Sequence, residues 1–243
     1  MVTAALGSTA TTAQVHPAQF TTALMEGARS YGASLRFGVV EDVIRRDRGV
    51  RGVVVSGEAI EADAVVLALG PWTGRFSKAL RLPRVYGLKG YSVTLRGPVV
   101  PAHALFVDYQ TDDGRRLEPE IFPRPDGTVY VCGMRDPAPL PESPDDVEVR
   151  GAACDVLARA AGRVSKGLAT AHVERRQACY RPVTDDGVPL IGRVPELPGA
   201  YVATGHGPWG MLNAPATGLA LAELIADGAS ALVDLSPFDP ARR

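Results

Sequence analysis

Six consecutive residues, Gly205-His206-Gly207-Pro208-Trp209-Gly210, satisfy the spacing G-x-G-x-x-G. They follow the β-prone run Ala200-Tyr201-Val202-Ala203-Thr204 and precede a helical stretch over residues 214–226. Glycines let backbone N–H groups converge at a helix start, and that end of a helix carries partial positive charge. Such a loop stabilises a phosphate, a carboxylate or the anionic pyrimidine end of a reduced flavin. The pattern also fits an NAD-type dinucleotide unit, with Asp234, 24 residues beyond Gly210 in the apolar run 231–235, on a ribose hydroxyl. Against that unit, only nine residues follow Asp234, and Pro208 and Trp209 put bulk where such a loop meets a pyrophosphate. A glycine turn with no ligand is the plain alternative.

Other chemistry-bearing residues read more simply. His16, His103, His172 and His206 lack metal-ligand spacing, so no metal site is expected. Cys132, Cys154 and Cys179 are odd in number and contain no Cys-x-x-Cys, which argues for reduced structural thiols. Asp185-Asp186-Gly187 reads as a turn and not as an acid–base pair. Lys89 reads as a solvated lysine, with a flavin-facing role as the alternative. Trp209 either walls a pocket or anchors its loop.

The elements that must position these residues follow from pattern. The chain has 243 residues, and its 46% apolar content can bury a core, which excludes whole-chain disorder. Lys plus Arg is 26 and Asp plus Glu is 27, a net charge of −1 that argues against a dedicated nucleic-acid binder. No run approaches the ~18 apolar residues of a membrane span. No basic residue precedes Arg29, so no secretory or transit signal is read and the cytoplasm is the default compartment.

Phe20, Leu24, Ala28 and Tyr31 recur at helical spacing after Pro17, with Gly32 as the stop. Residues 35–44 and 50–55 predict a hairpin around Arg46-Asp47-Arg48-Gly49. Residues 64–69 are apolar throughout and predict a strand buried on both faces. Short β-prone runs at 91–95, 104–109, 120–123, 129–132 and 174–180 predict an antiparallel sheet, with a helix from Val147 to about Gly162. The order is α/β, then antiparallel β with a helix, then α/β again. It predicts a mixed α/β (α+β) fold: one discontinuous domain, residues 1–82 and 181–243, with residues 83–180 inserted as a second.

Four segments together resemble the D-amino-acid-oxidase-like family of FAD-dependent oxidoreductases, across nearly the whole chain. They are Val15-His16-Pro17 with the following hairpin; residues 64–72, AVVLALGPW; residues 180–192, YRPVTDDGVPLIG; and residues 204–224, TGHGPWGMLNAPATGLALAEL. The last two are the specific ones. Gly87-Leu88-Lys89-Gly90-Tyr91-Ser92 resembles a stretch of D-amino-acid dehydrogenases, and GHGPWGMLNAPATG is similar to oxidoreductases without an assigned substrate. The resemblance implies a Rossmann-like FAD-binding layer and an antiparallel substrate domain. Family members open with a strand, a G-x-G-x-x-G loop and a helix. This sequence begins at a point well inside that pattern and is expected to be N-terminally incomplete.

The resemblance further implies FAD as cofactor and a small amine or amino acid as substrate. Val40 would meet the adenine through its backbone, and Gly70, Pro71 and Trp72 would lie along the cofactor. Gly205, His206, Gly207, Pro208, Trp209, Gly210, Met211 and Leu212 would border the flavin's pyrimidine edge. Arg181 matches an arginine that binds the substrate carboxylate in the glycine oxidase branch, a role suited to its planar fork; a structural ion pair is the alternative. Pro208 stands where that branch has a second arginine, so glycine itself is not implied. The implied reaction passes a hydride from the carbon beside nitrogen to flavin N5, and the imine then hydrolyses. Rival readings are a non-catalytic remnant that acts as a binding module, and the NAD-type unit through Asp234.

Overall fold

The computed structural model describes residues 3–46, 49–97 and 100–242. Helix α1, Pro17–Ser30, starts where expected: Pro17 sits in the first turn and the His16 ring accepts from the Gln19 amide. Gly32, at φ +95, follows its end. No residue of α1 is buried, despite its apolar stripe. Strands β1 (Val40–Arg46), β2 (Gly49–Val55) and β3 (Glu58–Glu61) form an antiparallel sheet in that order. The first strand begins at Val40 and not at Leu35, and Phe37 is exposed. Of the expected turn, Asp47 and Arg48 lie outside the described residues.

Strand β4, Val65–Leu67, leads into a 3-10 turn, Gly70–Thr73, and a short helix α2, Gly74–Ser77. Next come β5 (Val85–Arg96), β6 (Leu105–Phe106), β7 (Tyr109–Gln110), β8 (Arg116–Leu117), β9 (Glu120–Pro123) and β10 (Thr128–Asp136). Helices α3 (Gly151–Val164) and α4 (Lys166–Ala169) follow, then β11 (His172–Thr184), β12 (Leu190–Arg193) and β13 (Ala200–Thr204). A second 3-10 turn, Gly207–Trp209, feeds α5, Gly210–Ala226. No described helix is long and apolar enough to cross a membrane.

Two layers result. The smaller is the sheet β12-β13-β4, in which β13 and β4 run parallel. Leu67 is buried there, but Val66 is 41% exposed. The expectation of burial on both faces therefore fails for β4: its Leu67 side packs on the core, while its Val66 side is left partly open to solvent. The larger layer is the antiparallel sheet β11-β5-β10-β9-β6. Along its strands alternate residues face α3: Tyr91, Val93, Leu95, Ile121 and Val131 pack on Cys154, Leu157 and Ala161. Helix α3 offers Ala153, Cys154, Leu157, Ala160 and Ala161 at helical spacing, and its alanines let the helix lie close to the sheet. Each large apolar side chain buried here contributes roughly 1.5–3 kcal/mol. Pro182 is tolerated in β11 because that strand is an edge.

Candidate functional site

The parallel pair β4 and β13 ends in two glycine turns held side by side. Gly70 has φ +54, Gly205 φ +83 and Gly207 φ +55, left-handed values that suit glycine. The Thr204 hydroxyl donates to the Gly70 carbonyl at 2.8 Å and clamps one turn to the other. Ligands of open α/β sheets bind beyond the carboxyl ends of parallel strands, which is where both turns lie. A Cβ on Gly205 would sit 3.0 Å from Thr184 Cγ2, so that glycine also permits close packing. At Gly70 and Gly207 nothing lies within 4 Å of where a Cβ would be, so their backbone faces open space.

Helix α5 begins at Gly210, four residues earlier than its pattern predicts. Trp209, its N-cap, offers no side-chain hydrogen bond, and Pro208 and Trp209 are exposed. The first-turn amides thus have no capping side chain, and the helix tip is not buried against protein. His206 Nε2 lies 3.0 Å from the Thr217 hydroxyl, which ties the turn to the helix. Burial lowers the imidazole pKa and keeps the ring neutral at pH 7. Met211 is half-buried and Leu212 is exposed at the start of α5. The Trp72 indole donates to the Pro141 carbonyl at 2.9 Å, fixing the first turn to the loop over residues 137–142. Beside it is an open cavity of about 640 Å³, lined in part by Pro71, Gly74, Tyr86, Gly87 and Leu140. Neither Arg181 nor the tip of α5 lines that cavity.

Two expected participants stand elsewhere. Val40 opens β1 in the other small sheet, opposite Val55. Asp234 lies in no strand; its carboxylate accepts from the Ser236 amide and hydroxyl at 2.9 and 2.7 Å. The run 231–235 therefore lacks the strand that the NAD-type unit requires, and the short polar cap explains why. Asp186 accepts from the Val188 amide and from the Arg242 guanidinium, as a turn residue would.

Arg181 lies on β11, which packs against both 3-10 turns. The side chain is half-buried and, among the described residues, makes no ion pair and no hydrogen bond. Its guanidinium carbon would stand 4.0 Å from a Cβ on Gly90, so it folds over that glycine. Lys89 is not solvated, contrary to expectation. It is 4% exposed and its ammonium lies 5.4 Å from the Tyr91 ring and 5.6 Å from the Tyr180 ring, because strand alternation points it to the α3 side.

Sequence reasoning missed the residues that share the Arg181 face. Ser92, Tyr130, Cys132 and Glu120 project there, opposite the α3 core. Burial pushes both the Tyr130 phenol and the Cys132 thiol up to about 12, while the Arg181 charge acts the other way. Both stay neutral and can donate; the Cys132 thiol donates to Glu120 Oε2 at 3.7 Å. The signal was available as polar residues alternating with Ile121, Val129 and Val131, but it needed the strand register to be read. Among the described residues no acidic, cysteine or histidine cluster could hold a metal.

An α/β layer whose glycine turns lie open beyond its parallel strands, joined to a broad antiparallel sheet, places a ligand site at those turns. The chain belongs to the FAD dependent oxidoreductase family, whose model matches residues 2–224. It is 34% identical over 278 aligned residues to "Putative oxidoreductase TDA3" of Saccharomyces cerevisiae, covering 97% of this chain and 52% of that protein. A glycine oxidase from Geobacillus kaustophilus superposes with a TM-score of 0.78 at 29% identity, over 91% of this chain and 57% of that one. An L-proline dehydrogenase from P. horikoshii shares the fold, with a TM-score of 0.74 at 23% identity, over 93% of this chain and 59% of its own. The chain thus spans a little over half the length of these relatives.

Proposed function

We propose that this chain forms the substrate sheet and much of the cofactor layer of an enzyme that oxidises an amine or amino acid at the carbon beside nitrogen. In this reading residues 83–180 form the substrate domain, and residues 1–82 with 181–243 form the FAD layer. Strand β11 runs unbroken through the junction. The observation that carries the reading is Arg181: a half-buried arginine with no ion pair or hydrogen bond among the described residues, on the strand that packs against both glycine turns. A half-buried arginine without a carboxylate of its own suits a carboxylate brought by a ligand.

Gly70, Pro71, Trp72 and residues 205–212 would hold the FAD, and Val40 would meet its adenine. The open backbone at Gly70 and Gly207 and the uncapped tip of α5 fit an electron-rich ring. Bound flavin supplies the hydride acceptor. The chain's own part is to orient the substrate carboxylate on Arg181 and to offer the neutral Tyr130 donor beside it. No side-chain base is required if the amine arrives neutral.

The test is the visible spectrum of the purified protein with added FAD. Flavin absorbance that is retained, and that bleaches anaerobically with an amino acid, supports the reading; a protein that ignores FAD overturns it. Arg181→Ala should weaken carboxylate substrates about 10- to 100-fold in KM, the size of a lost charged hydrogen bond, and leave simple amines unchanged.

A further inference from the structure

We infer that Glu120 is a specificity-determining residue of this site, holding a second, non-reacting cation on a substrate whose carboxylate meets Arg181. The inference rests on the reading of Arg181 given above and names the substrate class: an amino acid with a basic side chain.

Strand register places the two charges. Gln177 pairs with Ser92, Ser92 with Cys132 and Cys132 with Glu120, so these four residues form one row across β11, β5, β10 and β9. Gly90 lies one pleat further along β5 on the same face, and the Arg181 guanidinium folds over it. Two strand spacings and two residues of rise separate Gly90 from Glu120 by about 12 Å. With the Arg181 guanidinium over Gly90 and the Glu120 side chain upright on its own strand, that backbone separation of about 12 Å, less a hydrogen bond of about 3 Å at each end, leaves roughly 6 Å between the substrate's carboxylate and its cation. That span matches a carboxylate and an amine separated by four carbons.

Glu120 is half-buried, and among the described residues its one polar contact is the neutral Cys132 thiol. Among the described residues neither Glu120 nor Arg181 forms an ion pair, with each other or with anything else. Register also puts two exposed arginines on this face, Arg135 opposite Gly90 and Arg175 opposite Thr94, and Arg124 stacks on the Tyr130 ring at 4.8 Å. Opposite charges held apart on one half-buried face are costly unless a ligand satisfies both.

The cation on Glu120 is not the amine that reacts. A neighbouring carboxylate favours the protonated amine, and an ammonium has no lone pair to drive hydride loss from the adjacent carbon. The reacting amine therefore lies between the two anchors, next to the carboxylate, and Glu120 holds the far end.

The experiment is calorimetric titration of the full chain with three probes: 5-aminopentanoate, pentanoate and pentylamine. We expect 5-aminopentanoate to bind about 10- to 100-fold more tightly than either singly charged probe. Glu120→Gln, which keeps an acceptor for the Cys132 thiol, should abolish the preference over pentanoate and leave pentanoate affinity unchanged. Equal affinities in the unsubstituted chain, or a preference that survives Glu120→Gln, overturns the inference while the Arg181 reading stands. If no acid binds, or if Arg181→Ala leaves pentanoate affinity intact, the Arg181 reading fails and the inference with it. Should Glu120→Gln not fold, 5-hydroxypentanoate replaces it: binding as tight as that of 5-aminopentanoate overturns the inference, and weaker binding supports it.

Discussion

Asp136 is a buried carboxylate that stays charged because its surroundings supply donors. The Tyr91 hydroxyl reaches it at 2.6 Å, the Ala138 amide at 3.2 Å, and the Arg150 guanidinium pairs with it. The Tyr91 bond is the largest cause holding its pKa below the usual carboxylate range. Asp136→Ala would leave the Tyr91 O–H, in a residue 2% exposed, without its acceptor while Arg150 Nε still donates to that oxygen at 2.9 Å, and should cost about 1–3 kcal/mol. A lowered folded-state pKa means that this stabilisation is present above the unfolded value near ~4 and is lost as pH falls through the folded value. Urea midpoints of the two proteins should therefore differ at pH 7 and converge in acid; a gap that persists at low pH would refute the assignment. The same residue scale shows where pattern reading stopped. Arg181 was legible through its motif. Glu120, Tyr130 and the burial of Lys89 were not, because each depends on which face of a strand a residue takes and on what the next strand places beside it.

Among the elements, the glycine turns separate folding from binding. Gly205→Ala adds a methyl 3.0 Å from Thr184 Cγ2 at φ +83, so it should destabilise by about 1–3 kcal/mol. Gly207→Ala, at φ +55 with nothing within 4 Å, meets the backbone penalty alone, roughly 1 kcal/mol. Its methyl would enter the open space before α5. The expected outcome is a small drop in Tm with a clear loss of FAD affinity for Gly207→Ala, and the larger Tm loss for Gly205→Ala. Thermal melts and flavin titration of both variants check this; an unchanged FAD affinity in Gly207→Ala would remove that turn from the cofactor site. Strand β13 and helix α1 were legible to within a residue, since periodicity and capping are local. The exposed side of β4, the β7–β8 hairpin and the Asp234 cap were not. Apolar content cannot say which face is covered, and a short polar side chain can satisfy its own backbone in place of a strand.

Across the whole molecule the core is uneven. The antiparallel sheet and α3 hold Leu157, Val93 and Val131 fully buried. No residue of helix α1 is buried: Phe20 and Met25 are half-buried, Leu24 is 50% exposed, and Tyr31 just after the helix 94%. Leu212 and Leu219 on α5 and Val66 on β4 are exposed as well. Stability should follow that distribution. Leu157→Ala should cost about 2–5 kcal/mol, since it opens a cavity under the sheet. Leu24→Ala should change stability by less than about 0.5 kcal/mol, since half of the Leu24 surface stays in water and alanine favours a helix. Native-state hydrogen exchange should show the same division, with amides of β5 and β10 exchanging only through global unfolding and those of α1 through local opening. If α1 proves as protected as β5, its apolar stripe must be covered in solution by something beyond the contacts described, and the Leu24 variant would then lose stability in proportion.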